Sequence, residues 1–242
     1  PFPEEMNRVV AGRLAHWHFA PTETARRALL SEGIAPESIL VTGNTVIDAL
    51  LTTVADCRER GETTAAKSRR RILLTAHRRE SFGAPLKRVF GAVLDLLEAY
   101  ADLDVLYPVH PNPNVKQMAH ELLGGHPRVK LMPPLNYREF VAALDDCTLV
   151  LTDSGGVQEE APALGKPVVV LREDTERPEA IEAGVARLVG TDRAAIVATV
   201  RELLDDPQAY AAMARGASPY GDGRAAGRIA EVLVGHVRSM RA

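Results

Sequence analysis

A chain of 242 residues with 46% hydrophobic and 25% charged content is ordinary for a globular protein, and it is long enough to bury one large core or two small ones. A net charge of −3 argues against a nucleic-acid surface, and no apolar run approaches the roughly 20 residues that a membrane span needs. The two cysteines, Cys57 and Cys147, lie far apart without Cys-x-x-Cys spacing, which excludes a disulfide scaffold or a cysteine zinc site and fits the cytoplasm.

In chain order, Glu4 and Glu5 open an amphipathic helix, where first-turn carboxylates are ordinary partners of the dipole. Strands are expected at residues 16–20, 39–42, 71–75, 105–109, 129–132, 148–152, 168–171 and 186–189. Amphipathic stretches fall between them. In residues 85–100, Leu86, Val89, Phe90, Val93, Leu96 and Leu97 recur at helical spacing, and residues 115–123 form a second such stretch. The alternation predicts an α/β fold, a doubly wound parallel sheet of Rossmann-like type, whose ligands sit beyond the carboxyl ends of the strands. The polar stretch 56–70 marks a weak boundary. The first 45 residues hold two helices and two short strands, too little for a closed domain, and the chain opens on Pro1-Phe2-Pro3 without a methionine. They are expected to be the tail of a domain that begins upstream.

The loops after the strands carry the candidate chemistry. Residues 76–83 place His77, Arg78, Arg79 and Glu80 at a strand end. Arginine forks suit diphosphate oxygens, and a histidine beside them can give a proton to a departing phosphate. A solvated Arg/Glu turn is the plain alternative. After the next strand, Pro108, Pro111 and Pro113 stiffen a loop that aims His110 at the same rim, although alone it reads as a structural hydrogen-bonding histidine. The run Met132-Pro133-Pro134-Leu135-Asn136-Tyr137 leads to Phe140 and offers a rigid apolar edge for a flat base. In isolation Phe140 reads first as core packing of a short helix.

The run Thr152-Asp153-Ser154-Gly155-Gly156-Val157-Gln158-Glu159-Glu160 lies between two apolar strands. A helix starting at Ser154-Gly155-Gly156 turns unpaired N–H groups and its positive dipole end toward an anion, and the glycines let a phosphate approach the backbone. Glu159 and Glu160, one turn on, are placed to accept hydrogen bonds from ribose hydroxyls. The same residues also describe a capped turn with Ser154 as N-cap. Beyond the next strand, residues 172–179 hold six charged side chains in eight, Glu176 and Arg177 among them, and open a helix at Pro178. Sugar hydroxyls need donors and acceptors at that density, and a merely exposed turn shares the composition. His16, His18, His120, His126 and His236 receive no role.

Taken together, these segments resemble the bacterial non-hydrolysing UDP-N-acetylglucosamine 2-epimerases. The resemblance runs from Pro3-Glu4-Glu5-Met6-Asn7-Arg8 through Pro21-Thr22-Glu23-Thr24, Thr42-Gly43-Asn44-Thr45-Val46-Ile47-Asp48 and His77-Arg78-Arg79-Glu80-Ser81. It continues through the 153–160 and 175–179 runs to Ser218-Pro219-Tyr220-Gly221-Asp222-Gly223 and the last helix. It implies a GT-B type two-domain architecture. Residues 1–45 would close an N-terminal Rossmann-like domain, 46–220 would form the UDP-binding Rossmann-like domain, and 221–242 would be a helix packing back on the first.

The activity implied is an isomerase interconverting UDP-GlcNAc and UDP-ManNAc with no cofactor and no metal. UDP is eliminated to leave 2-acetamidoglucal and is re-added with inversion at C2, which needs a base at an unactivated C–H bond and a closed cleft. The resemblance assigns catalysis to Glu4 and His77, and phosphate oxygens to Ser154, Gly155 and Gly156. Glu160 would take the ribose, Phe140 would border the uracil, and Glu176 and Arg177 would face the sugar and diphosphate. Arg78, Arg79, Glu80 and His110 match positions around a second, activating UDP-GlcNAc. The implied partners are UDP-GlcNAc and UDP-ManNAc, with no nucleic acid and no membrane, in a cytoplasmic homodimer serving cell-surface polysaccharide biosynthesis.

Three motifs of that family are not in this sequence: the Gly-Thr-Arg-Pro-Glu loop, the Gly-Asp strand end and the His-Val-Glu-Ala-Gly segment. They supply two further carboxylates and one wall of the cleft, so a chain beginning at Pro1 is expected to lack turnover. Two other readings share the diphosphate site, a GT-B UDP-sugar glycosyltransferase and a non-catalytic UDP-sugar-binding fragment. The 77–80 and 175–179 motifs together favour the epimerase.

Overall fold

The computed structural model describes residues 2–63, 69–78, 82–216 and 218–240. In chain order its elements are α1 (Glu4–Leu14), β1 (His18–Ala20), α2 (Glu23–Ser31), a 3-10 turn (Pro36–Ser38), β2 (Ile39–Val41), α3 (Thr45–Glu59), β3 (Arg70–Thr75) and α4 (Ala84–Ala99). There follow β4 (Leu103–Pro108), α5 (Pro113–Leu123), β5 (Val129–Met132), α6 (Tyr137–Asp146), β6 (Leu149–Thr152), α7 (Gly155–Ala163) and β7 (Val168–Val170). The chain closes with α8 (Pro178–Glu182), β8 (Ala186–Leu188), α9 (Arg193–Asp205), α10 (Pro207–Met213) and α11 (Ala225–Ser239). Every expected strand forms, with ends displaced by at most two residues. The largest shifts are at the starts of β1, which pairs with β2 over three residues only, and of β4.

The chain forms two compact units, one from residues up to 49 together with those from 220 onward, the other from residues 50 to 219. The division falls inside α3, which runs to Glu59, and not in the polar 56–70 stretch.

In the first unit β1 and β2 pair in parallel, and α2 is capped by Thr22 Oγ1, which accepts from Ala25 N at 3.1 Å. The start of α11 is held by Asp48, whose carboxylate accepts from the backbone N–H groups of Ala225 and Ala226 at 3.1 and 2.9 Å. Gly43, at φ +88°, lets the backbones meet there. A Cβ at that position would lie 3.2 Å from Gly221 Cα.

The second unit is built on a six-stranded parallel sheet in the order β5-β4-β3-β6-β7-β8. Ile72, Leu74, Val105, Tyr107, Leu149, Leu151 and Val169 pack against Val89, Phe90 and Val93 of α4, Ala119 and Leu123 of α5, and Ile196 and Val200 of α9. The alternate residues Leu73, Val150, Val168 and Val170 point to the opposite face and are also fully buried. Burial on both faces explains why these strands read as continuous apolar runs without polar alternation. The strand order reverses between β3 and β6, since β4 and β5 extend to one side and β7 and β8 to the other. In doubly wound sheets that reversal opens a crevice at the carboxyl ends.

Candidate functional site

The crevice between β3 and β6 is closed at its floor by paired threonines. Thr75 and Thr152 stand in register, with their hydroxyl oxygens 2.6 Å apart. One residue beyond β6, Asp153 is completely buried. Its Oδ2 accepts from the backbone N–H groups of His77 and Arg78 at 2.7 and 2.8 Å, and its own N–H donates to Thr75 O. Its Oδ1 lies 3.1 Å from His77 Nδ1. One carboxylate thus shapes the loop after β3 and orients the imidazole, directing Nε2 away from the Asp153 contact. That contact raises the His77 pKa above its ordinary value, against the effects of burial and of Arg78, so the imidazolium is favoured. His110 stacks on His77 with ring centroids 5.5 Å apart and planes 17° from parallel. Its Nδ1 accepts from Asn112 N at 3.2 Å.

On the far side of the crevice, Ser154 stands at the N-cap position of α7, but its side chain makes no capping bond. The expected serine cap does not form; the Ser154 N–H itself donates to Thr152 Oγ1 at 2.9 Å, and the first-turn N–H groups of α7 have no side-chain cap. The first turn of α7 contains no acidic residue. A Cβ on Gly155 would lie 3.8 Å from the Arg177 guanidinium carbon, and one on Gly156 would meet nothing within 4 Å. A helix N-terminus with an arginine over its first turn and open space beside it suits an anion.

Arg177 is positioned by buried neighbours. Its Nε donates to Glu159, its backbone N–H donates to Thr175 Oγ1 at 3.1 Å, and Thr175 Oγ1 donates to Gln158 Oε1 at 2.6 Å. Gln158 is fully buried and donates from Nε2 to Ser154 O at 3.2 Å, which ties the 172–178 loop to the start of α7. Of the two glutamates expected near a ribose, Glu159 is therefore engaged with Arg177. Glu160 accepts from the Tyr137 hydroxyl at 3.0 Å. Burial pushes its carboxyl above the usual range; the Tyr137 hydrogen bond opposes that and the Glu159 charge adds to it. Glu176 is largely exposed and lies between Arg172 and Arg78, at 3.5 and 3.8 Å.

A cleft of about 320 Å³ at the strand ends is lined by His77, His110, Phe140 and Ser154, together with Thr75, Pro134 and Val157. Four residues nominated from separate parts of the sequence thus share one cavity. Phe140 is half-buried on α6 with part of its ring on that cleft, so core packing alone does not describe it. Glu4 opens α1 in the other unit and is exposed. Arg79 and Glu80 lie outside the described residues. Among the described residues no group of three or more His, Cys, Asp or Glu side chains could hold a metal ion, and no helix is long and apolar enough to cross a membrane.

Sequence reasoning missed Asp153, Tyr137 and Gln158 as working groups. A charged residue directly after the strand Leu149-Val150-Leu151-Thr152 was a usable signal for Asp153, since a buried carboxylate needs partners. The partner itself is 76 residues away.

The model of the family described as UDP-N-acetylglucosamine 2-epimerase matches residues 1–234. The chain is 48% identical to the UDP-N-acetylglucosamine 2-epimerase of Escherichia coli strain K12 over 96% of its own length and 64% of the relative's. It is also 48% identical to that of Bacillus subtilis strain 168, over 98% of this chain and 62% of the relative. The crystal structure of UDP-GlcNAc 2-epimerase from Neisseria meningitidis bound to UDP-GlcNAc superposes with a TM-score of 0.88 at 41% identity, covering 97% of this chain and 65% of that one. The chain thus spans a little under two thirds of the length of these relatives, and it belongs to the UDP-N-acetylglucosamine 2-epimerase family.

Proposed function

We propose that the six-stranded unit holds the UDP portion of UDP-GlcNAc and that the protein interconverts UDP-GlcNAc and UDP-ManNAc. The observation that carries this reading is the shared cleft, where an oriented histidine, an open helix N-terminus and an aromatic edge converge at a topological switch point. The relatives named above, and the Neisseria meningitidis structure with UDP-GlcNAc, favour this ligand over other nucleotide sugars.

In this reading the diphosphate sits on Ser154, Gly155 and Gly156 beneath Arg177, where backbone donors and a guanidinium meet its oxygens. Uracil borders Phe140, and the ribose hydroxyls donate to Glu160. Glu176 faces the sugar and diphosphate. A base removes the C2 proton while the C1–O bond to UDP breaks, leaving the 2-acetamidoglucal double bond between C1 and C2. The His77 imidazolium, held by Asp153, offsets the charge that develops on the departing diphosphate. UDP then returns to C1 while a proton is delivered to C2 from the opposite face. Glu4 belongs to the acid–base set. Arg78, Arg79, Glu80 and His110 border a second UDP-GlcNAc that activates the enzyme. Assembly as a homodimer in the cytoplasm, supplying cell-surface polysaccharide synthesis, completes the proposal.

The test is incubation with UDP-GlcNAc in D2O, followed by mass and NMR analysis of recovered nucleotide sugars. Epimerisation by this route puts deuterium at C2 in both. UDP-ManNAc formed without label, or a folded UDP-binding protein that exchanges nothing, would sink it. Sugar transfer to an acceptor with C2–H intact would mark a glycosyltransferase instead.

A further inference from the structure

Tyr137 is the first residue of α6, and its position is set by reciprocal hydrogen bonds. Asn136 Oδ1 accepts from Glu139 N, and Glu139 Oε2 accepts from Asn136 N, each at 3.0 Å. Tyr137 is 43% exposed, so its contribution to the core is small, yet its hydroxyl is spent on Glu160 Oε1 at 3.0 Å. Glu160 is 7% exposed, beside a Glu159 already bonded to Arg177. A carboxyl in such a place tends to take up a proton, and a protonated carboxyl turns one acceptor oxygen into a donor. It then cannot accept from both hydroxyls of a vicinal diol. A phenolic O–H on one oxygen favours the ionised form and fixes the plane in which the remaining lone pairs lie. Phe140 sits three residues along the same helix, on the same side, and borders the cleft. One turn of α6 therefore touches both the cleft wall and the buried carboxylate.

We propose that Tyr137 is a positioning residue that holds Glu160 as an oriented carboxylate for the two ribose hydroxyls, so that α6 selects ribonucleotide over 2′-deoxyribonucleotide. This rests on the assignment of Glu160 to the ribose. Tyr137 does not itself touch the reacting atoms.

The experiment is isothermal titration calorimetry of UDP and 2′-deoxy-UDP with the unmodified protein, Tyr137→Phe and Glu160→Gln, each checked by thermal melting. A hydroxyl bonded to a carboxylate corresponds to a preference for UDP of about tenfold or more in the unmodified protein. Tyr137→Phe keeps the ring and should shrink that preference several-fold, weakening UDP while leaving 2′-deoxy-UDP nearly unchanged. Glu160→Gln should abolish most of it. If Tyr137→Phe retains the full preference, or loses affinity for both nucleotides alike, the positioning role is overturned while the ribose assignment survives on Glu160→Gln. If the unmodified protein does not discriminate, or Glu160→Gln still does, the ribose assignment fails and takes this inference with it.

Discussion

The two ends of the six-stranded sheet treat the same backbone dipoles in opposite ways. At the amino ends of the strands, where α4 and α6 finish, the chain supplies its own cations. Arg128 donates to Leu97 O, Tyr100 O and Leu103 O, and Lys166 Nζ donates to Asp145 O at 2.7 Å and Cys147 O at 3.0 Å. Arg70 and Arg71 are paired there with Asp102 and Asp104 at 2.7 and 2.6 Å. At the carboxyl ends, α5 and α6 are capped by Asn112 and Asn136, whereas α4 and α7 have neither a side-chain cap nor a first-turn acid. Hydrogen bonds near α7 are used to hold Arg177 and the 172–178 loop in place. One end of the sheet satisfies its charges internally; the other leaves a positive helix end for a ligand. That asymmetry separates the two ends of the sheet better than residue type does, since arginines and acids abound at both.

Substitutions can break this contrast. The largest effect is expected at the carboxyl end, in turnover. His77→Asn should cut kcat by about 10²–10⁴-fold while changing UDP affinity far less, and equal losses in both would count against a transition-state role. The same dyad sets a pH dependence. Asp153 holds the folded-state pKa of His77 above about 6.5, so the imidazolium's help to the departing diphosphate is complete below that value and is lost as pH rises through the raised one. In Asp153→Asn the falling limb of the kcat–pH profile should move to lower pH; a limb that stays in place would show that Asp153 does not tune the histidine.

A smaller effect, of a different kind, is expected at the amino end. Lys166→Met strips two carbonyls of their donor and should lower the unfolding free energy by about 1–3 kcal/mol, with the UDP dissociation constant unchanged. Chemical denaturation and calorimetry on one sample check both halves, and a change in affinity would mean that the two ends are not separable. The smallest effect is at Ser154. Its hydroxyl makes no cap, so Ser154→Ala should leave the melting temperature near that of the unmodified protein and weaken UDP by about 1 kcal/mol. A destabilised variant with unaltered affinity would reverse that assignment.

Much of the fold was legible because it depends on local pattern. Runs such as Ile72-Leu73-Leu74 and Val168-Val169-Val170, separated by amphipathic helices, fit a parallel sheet covered on both faces, and they form one. The loops after β3, β4, β5 and β6 reach the cleft, whereas the 172–179 loop nominated with them does not line it. Their contacts were not legible. Glu159 and Glu160 are adjacent and chemically identical, yet one is engaged by Arg177 and the other meets Tyr137, because α7 turns successive residues toward different neighbours. Ser154 is a favoured capping residue by type, yet its side chain makes no capping bond to α7.

The sequence by itself determined the strands, their order along the chain, and which loops carry imidazole, guanidinium and glycine, since periodicity and turn chemistry act over a few residues. Only the tertiary structure decided that β3 and β6 would be neighbours, and hence that Asp153 would meet His77 across 76 residues of chain. Such a pairing is set by long-range burial of both sheet faces, which dictates strand order. A buried carboxylate then takes whichever donors that order brings within reach.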